Sequence, residues 1–167
     1  MRQACFVVML VIGFLLAACG GSAMSDAVTP QDQNNPPVEN CVATQPDMLG
    51  PFYTPGAPER NQVGSGYVLY GKVLSENGCV PIPGARIELW MAGPDGEYTD
   101  DYRATIFSET DGSYRFESPV PVPYEGRPPH IHIKVITPDF VDLVTQHYPA
   151  RAQTEAEFNL VLTPGEG

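Results

Sequence analysis

Positive charge is scarce in this chain. Lys and Arg together number 9 against 20 Asp and Glu, for a net charge of −11 over 167 residues. A surface so poor in cations excludes non-specific binding to nucleic acid. Histidine is rarer still, with three in the whole chain. Helical periodicity of useful length is absent, which argues against a helical bundle. No apolar run is long enough to span a membrane comfortably; the most marked, residues 6–18 (FVVMLVIGFLLAA), is short.

That run, preceded by Arg2 and followed by small residues, reads as a secretory signal over residues 1–18. Its end, Leu16-Ala17-Ala18-Cys19, resembles the lipobox of bacterial lipoproteins. The resemblance implies lipidation of Cys19 and an extracytoplasmic, membrane-anchored protein. Gly20, rather than aspartate, follows Cys19 and leans towards an outer-membrane location. Residues 19–47 are rich in Ser, Pro, Asn, Gln and Asp and are expected to form a flexible tether. Cys41 and Cys79 lie outside the signal region. In an oxidising compartment they can pair or remain two thiols, and pairing is the favoured reading.

Residues 48–165 form the expected folded domain, and they read as strands. Segments 67–74, 85–91, 104–108, 113–117, 130–136, 141–147 and 156–162 are apolar, β-branched or aromatic, many with polar alternation. Turn-forming groups such as Glu76-Asn77-Gly78, Pro83-Gly84 and Asp111-Gly112 separate them. Short strands with regular turns imply an all-β sandwich. Segment 119–129 (PVPVPYEGRPP) is too dense in proline for a paired strand interior. It is a stiff connection that delivers Tyr124 and Arg127 just before His130.

His130 and His132 are two apart in a strand, so both imidazoles point to one face and can share a metal ion. An isolated H-x-H is more often a pair of surface histidines. Here two of three histidines coincide with the rigid loop and its tyrosine and arginine. Tyr98, past the turn that follows Leu89-Trp90-Met91, is a further candidate, although alone it could be a half-buried aromatic.

The segments Val80–Trp90, Asp95-Gly96-Glu97-Tyr98, Thr110–Phe116 and Tyr124-x-x-Arg127-Pro128-x-His130-Ile131-His132 together resemble the intradiol ring-cleavage dioxygenases. Gly50-Pro51-Phe52-Tyr53 and Thr145-Gln146-His147-Tyr148 also look like family segments. The Gly84–Phe116 piece is shared with transthyretin-like binding modules; the Tyr-x-x-Arg-Pro-x-His-x-His piece is specific. The resemblance implies a transthyretin-like antiparallel β-sandwich with an active-site cleft bounded by loops. It implies a non-haem iron(III) held by Tyr98, Tyr124, His130 and His132, with Tyr124 and His132 axial. Arg127 would be catalytic beside the substrate ring, and Gln146 and Tyr53 would line the pocket. Tyr124 would also serve as a base. The reaction implied is cleavage of a catechol between its hydroxylated carbons with O2, giving a cis,cis-muconate without NAD or flavin. The chain lacks the N-terminal helical segment of catechol-type dimers, which brings it closer to the shorter protocatechuate-like domains.

Two other readings compete. One is a non-catalytic, extracytoplasmic transthyretin-like binding module. The other is a zinc or cupin-like site using His130, His132 and His147.

Overall fold

Alternation along the first long strand sets the architecture. In β1 (Tyr67–Ser75), every second residue from Tyr67 is buried, so one face meets a core and the other meets solvent or covering loops. Seven further strands follow: β2 (Arg86–Trp90), β3 (Arg103–Phe107), β4 (Ser113–Ser118), β5 (Ile131–Ile136), β6 (Leu143–His147), β7 (Glu155–Glu157) and β8 (Leu160–Leu162). The computed structural model describes residues 41–166. The expected signal, the expected lipidation site at Cys19 and most of the expected tether lie outside them. Among the described residues the one helical element is a 3-10 turn at Asp100–Tyr102, and no helix is long and apolar enough to cross a membrane.

One sheet has the order β4-β1-β7, with β8 also pairing β1; the other has the order β3-β2-β5-β6. The facing sides enclose Tyr67, Leu69, Val73, Ile87, Leu89, Phe116, Ile131, Ile133, Val135 and Leu160. Each such side chain contributes about 1.5–3 kcal/mol on burial. The expected β-sandwich is what forms, with one refinement: β7 and β8 run parallel to β1, so that sheet is mixed. The last expected strand divides because Phe158 and Asn159 use their polar groups elsewhere. The Phe158 carbonyl accepts the Tyr114 hydroxyl at 2.6 Å, and the Asn159 side chain accepts the Lys72 N–H at 2.8 Å.

The boundary expected at residue 48 falls earlier. Residues 41–47 already lie on the sandwich, through Cys41 N–H to the Glu76 carbonyl (3.2 Å), Thr44 N–H to Val161 (3.0 Å) and Asp47 N–H to Val144 (2.9 Å). Cys41 and Cys79 form a disulfide, with Cα atoms 5.3 Å apart. Composition marked this segment as a tether because it is polar, but backbone hydrogen bonds and a covalent bridge need no apolar side chains. Residues 41–53 thus form a strap along the edge strand β6 and over the outer face of its sheet.

Candidate metal centre

Sheet register gathers the polar groups. Trp90 pairs with both Arg103 and His132, and His132 pairs with Gln146. Laterally paired residues share a face, so Arg103, Trp90, His132 and Gln146 form one row across four strands. Their neighbours Leu89, Ile131 and Ile133 point into the core, so the row lies on the outer face. Yet all four are buried, His132 at 2% exposure and Gln146 at 5%. The strap and the loops carrying Tyr98 and Tyr124 cover them. A covered outer face lined with polar groups is costly unless those groups have work to do.

Tyr124 and Arg127 come from a tight hairpin turn. Tyr124 and Arg127 exchange both backbone hydrogen bonds, at 3.2 and 2.8 Å. The central residues Glu125 and Gly126 both have positive φ, 44° and 79°. This is the signature of a type I′ turn. Such a turn sets its two flanking residues side by side. The proline-dense loop is therefore a stiff arm ending in a hairpin tip, with a ligand candidate on one side and a cation on the other.

Four aromatic rings converge at the tip. The His130 and His132 centroids are 4.8 Å apart, Tyr98 and Tyr124 are 5.1 Å apart, and Tyr98 and His132 are 6.0 Å apart. The Tyr98 hydroxyl donates to His130 Nε2 at 3.1 Å. Two donors each about 2 Å from one ion, at right angles, stand ~2.9 Å apart, so this pair has nearly the spacing of adjacent ligands. His130 Nδ1–H donates to the Pro128 carbonyl at 2.8 Å. That fixes the tautomer with a lone pair on Nε2, as metal-binding imidazoles require. Among the described residues no group of three or more His, Cys, Asp or Glu gathers, so the donor set depends on the tyrosines.

Electrostatics favour neutral donors. Burial, His130 and Arg127 push His132 down to about 4. Burial, then Arg127, lowers His130 against the pull of the Pro128 carbonyl. Burial raises Tyr98 to about 12, and desolvation together with a hydrogen bond to Glu125 raises Tyr124. At neutral pH the protein alone therefore offers two imidazoles ready to bind a cation and two phenols that only a strongly acidic cation would ionise. His132 Nδ1 is buried and makes no hydrogen bond of ordinary length, with the Met48 backbone and the Asp47 charge opposing the fall in its pKa. Hard phenol oxygens and neutral imidazoles gathered at one point fit a ferric ion.

Surrounding groups lock the donors. Trp90 stacks on His132 with centroids 4.8 Å apart and planes within 4°. On another side, a Cβ at Gly50 would stand 3.0 Å from His132 Cε1. Phe52 stacks on Tyr98 at 4.4 Å and meets Tyr124 edge-on at 5.3 Å, while its carbonyl accepts Arg103 Nη1 at 2.6 Å. Tyr53, expected to line the substrate pocket, has its hydroxyl engaged: it donates to Glu88 at 2.7 Å, and its ring packs against Trp90 at 5.2 Å. It props Trp90 and so acts on His132 indirectly. Sequence reasoning gave no role to Phe52 or Gly50, although both lie in the Gly50-Pro51-Phe52-Tyr53 segment that was singled out.

Arg127 leans over the donors. Its Nη1 is 3.4 Å from His130 Nε2, and its Nη2 donates to Gln146 Oε1 at 2.7 Å and the Tyr148 hydroxyl at 3.0 Å. Gln146, expected in the pocket, thus holds the arginine. His147 is the one histidine left out. It pairs with Ile131, faces the core, and meets the Tyr67 hydroxyl at 2.6 Å. The register therefore excludes the zinc or cupin-like arrangement, which needed His147 beside the other two.

No family model matches the chain. A chlorocatechol 1,2-dioxygenase of Pseudomonas sp. (strain P51) is 30% identical, covering 63% of this chain and 55% of the relative. A hydroxyquinol 1,2-dioxygenase of Corynebacterium glutamicum is 32% identical, covering 67% of this chain and 47% of the relative. The chain spans about half the length of the curated relatives it matches. Among solved structures, the dioxygenase domain of a dioxygenase–carbohydrate-binding fusion from Streptomyces sp. SirexAA-E aligns with a TM-score of 0.65 and 26% identity. That match covers 74% of this chain and 100% of the other.

Proposed function

Because this chain belongs to the intradiol ring-cleavage dioxygenases, we propose that Tyr98, Tyr124, His130 and His132 hold one non-haem ferric ion and that the loaded protein cleaves a catechol between its hydroxylated carbons. One observation carries the reading: Tyr98 Oη and His130 Nε2 stand 3.1 Å apart beside the other two donor rings, with Arg127 alongside. Ferric iron supplies the Lewis acidity and electron-accepting character that make an aromatic diolate reactive towards O2. The reaction, catechol plus O2 to a cis,cis-muconate-type diacid, balances without NAD or flavin, since all four electrons come from the ring.

The protein's own residues divide the remaining work. His130, His132 and Tyr98 are the fixed donors, each held by a neighbour: Pro128, Trp90 and Phe52 respectively. Tyr124 sits at the hairpin tip, half-buried; ionised in the loaded protein, its phenolate oxygen would accept a proton from the incoming catechol and become a neutral phenol. Arg127 offers a permanent positive charge to the negative charge developing on the substrate oxygens. Gln146 and Tyr148 keep that charge aimed.

The full chain, loaded with iron(III), is mixed anaerobically with catechol, hydroxyquinol and chlorocatechol, and O2 is then admitted. A substrate-dependent shift in the visible band followed by a ring-opened diacid is the expected result. A protein that takes up no O2 with any of these would contradict the reading and revive the binding module. We also propose that Cys19 is lipidated and tethers the domain to a membrane outside the cytoplasm. Cys19→Ser should then move the chain from the membrane fraction to the soluble one.

A further inference from the structure

The geometry points to Asp47 as a positioning residue: we infer that, through the Tyr148 hydroxyl, it fixes the Arg127 guanidinium over the donor cluster. What Arg127 does there rests on the dioxygenase reading; how Arg127 is held does not. Among the described residues Arg127 has no carboxylate partner of its own. Instead the Tyr148 hydroxyl accepts from Arg127 Nη2 at 3.0 Å and donates to Asp47 Oδ2 at 2.8 Å. Asp47 is itself immobilised. Its Oδ1 accepts the Met48 N–H at 2.6 Å, and its own N–H is bonded to Val144 of the edge strand at 2.9 Å. A second relay runs beside the first. Gln146 Oε1 takes Arg127 Nη2 at 2.7 Å, and the Gln146 amide donates to the Met48 carbonyl at 2.7 Å. Two adjacent strap residues therefore hold one guanidinium nitrogen through two intermediaries.

The interposed hydroxyl has a physical purpose. A direct Asp–Arg pair would be bidentate and would compete with substrate oxygens for the guanidinium. One hydroxyl between them orients the fork through Nη2 without neutralising its charge, and Nη1 is left facing His130 Nε2 over the donor cluster at 3.4 Å. Tyr148 is 42% exposed, so burial is a weak reason for an aromatic there. The polar neighbours of its hydroxyl, Arg127, Asp47 and also Gln146 Oε1 at 2.9 Å, give a strong one, with the charged Asp47 the better acceptor of its single proton. The strap that brings Asp47 begins at the Cys41–Cys79 bridge.

The test uses the full chain with Asp47→Ala, Asp47→Asn and Tyr148→Phe, alone and combined with Arg127→Ala. Asp47→Ala and Tyr148→Phe should each lower kcat/KM about tenfold, the scale of losing an outer hydrogen-bond partner, with the visible iron band unchanged. Asp47→Asn keeps an acceptor for Tyr148 and should lose less than about threefold. In the Arg127→Ala background neither substitution should add more than about twofold. Equal losses in both backgrounds, or no loss at all, would overturn the inference. Nitrogen-15 spectra of the Arg127 side chain, taken before iron is added, decide independently of activity. Slow guanidinium rotation in the parent that becomes fast in Asp47→Ala and Tyr148→Phe supports the inference; rotation unchanged in both overturns it. Were the parent to turn over no catechol, the dioxygenase reading would fail while these spectra still judged the positioning role.

Discussion

His132 shows how much support a single proposed ligand receives. Trp90 lies flat on one side of its ring, Gly50 approaches it closely, and Tyr53 and Glu88 hold Trp90 in turn. Gly50 has φ +75°, and a methyl group there would press on His132 Cε1 at 3.0 Å, so Gly50→Ala should cost about 1 kcal/mol or more and weaken iron retention, measured by dialysis against a chelator. His132→Ala should lose the metal outright. Arg127 is not among the four proposed ligands, although its Nη1 lies 3.4 Å from His130 Nε2; Arg127→Ala should keep the coloured centre and lower kcat about 10²–10³-fold, and full turnover would show its assigned role to be wrong. The gathering of the candidate donors was legible because H-x-H in a strand and a tyrosine and arginine three apart in a stiff loop carry their geometry in their spacing. Asp47 was not, because a lone aspartate in a polar segment has no pattern of its own until the strap brings it beside Tyr148.

At the scale of the element, the Tyr124–Arg127 turn and the strap do different jobs. The turn needs positive φ at Glu125 and Gly126. Gly126→Val should disfavour it by roughly 1 kcal/mol or more and shift Tyr124 and Arg127 together, lowering kcat at temperatures far below a melting temperature that falls by only about 2–6 °C. The proline-dense stretch was readable as a rigid connection, but not the hairpin at its tip, since Glu at a left-handed position is a poor turn signal. The strap depends on the Cys41–Cys79 bridge, which closes a span of 38 residues. Replacing both cysteines with serine should lower unfolding free energy by about 2–4 kcal/mol, measured by denaturant titration. Strands were the easiest part to read, because alternation in β1 and the apolar inner row of β5 follow directly from burial on one face. Glu88 and Trp90 broke the alternation of β2 because the strap covers its outer side.

The sandwich as a whole places its chemistry outside its core, and its acid response follows from what the core contains. His147 lies buried against Tyr67 and Phe158, and burial lowers it to about 4. In the unfolded chain it titrates near ~6.5, so the unfolded state binds more protons between those values and folding weakens as pH falls from about 6.5 to about 4. The melting temperature should therefore drop across that window, and His147→Gln should flatten the drop. Fold class was legible at this scale because strand number and turn spacing suffice for it. The path of residues 41–53 was not, because it is set by backbone pairing with β6 and β8. The central claim is that two tyrosines and two histidines surround one ferric ion. Resonance Raman spectra excited within the visible band of the iron(III)-loaded protein test it most directly. Tyrosinate vibrations from a one-iron centre are expected, weakening in Tyr98→Phe and in Tyr124→Phe. A protein that stays colourless with iron, or a band whose tyrosinate modes survive both substitutions combined, would contradict it.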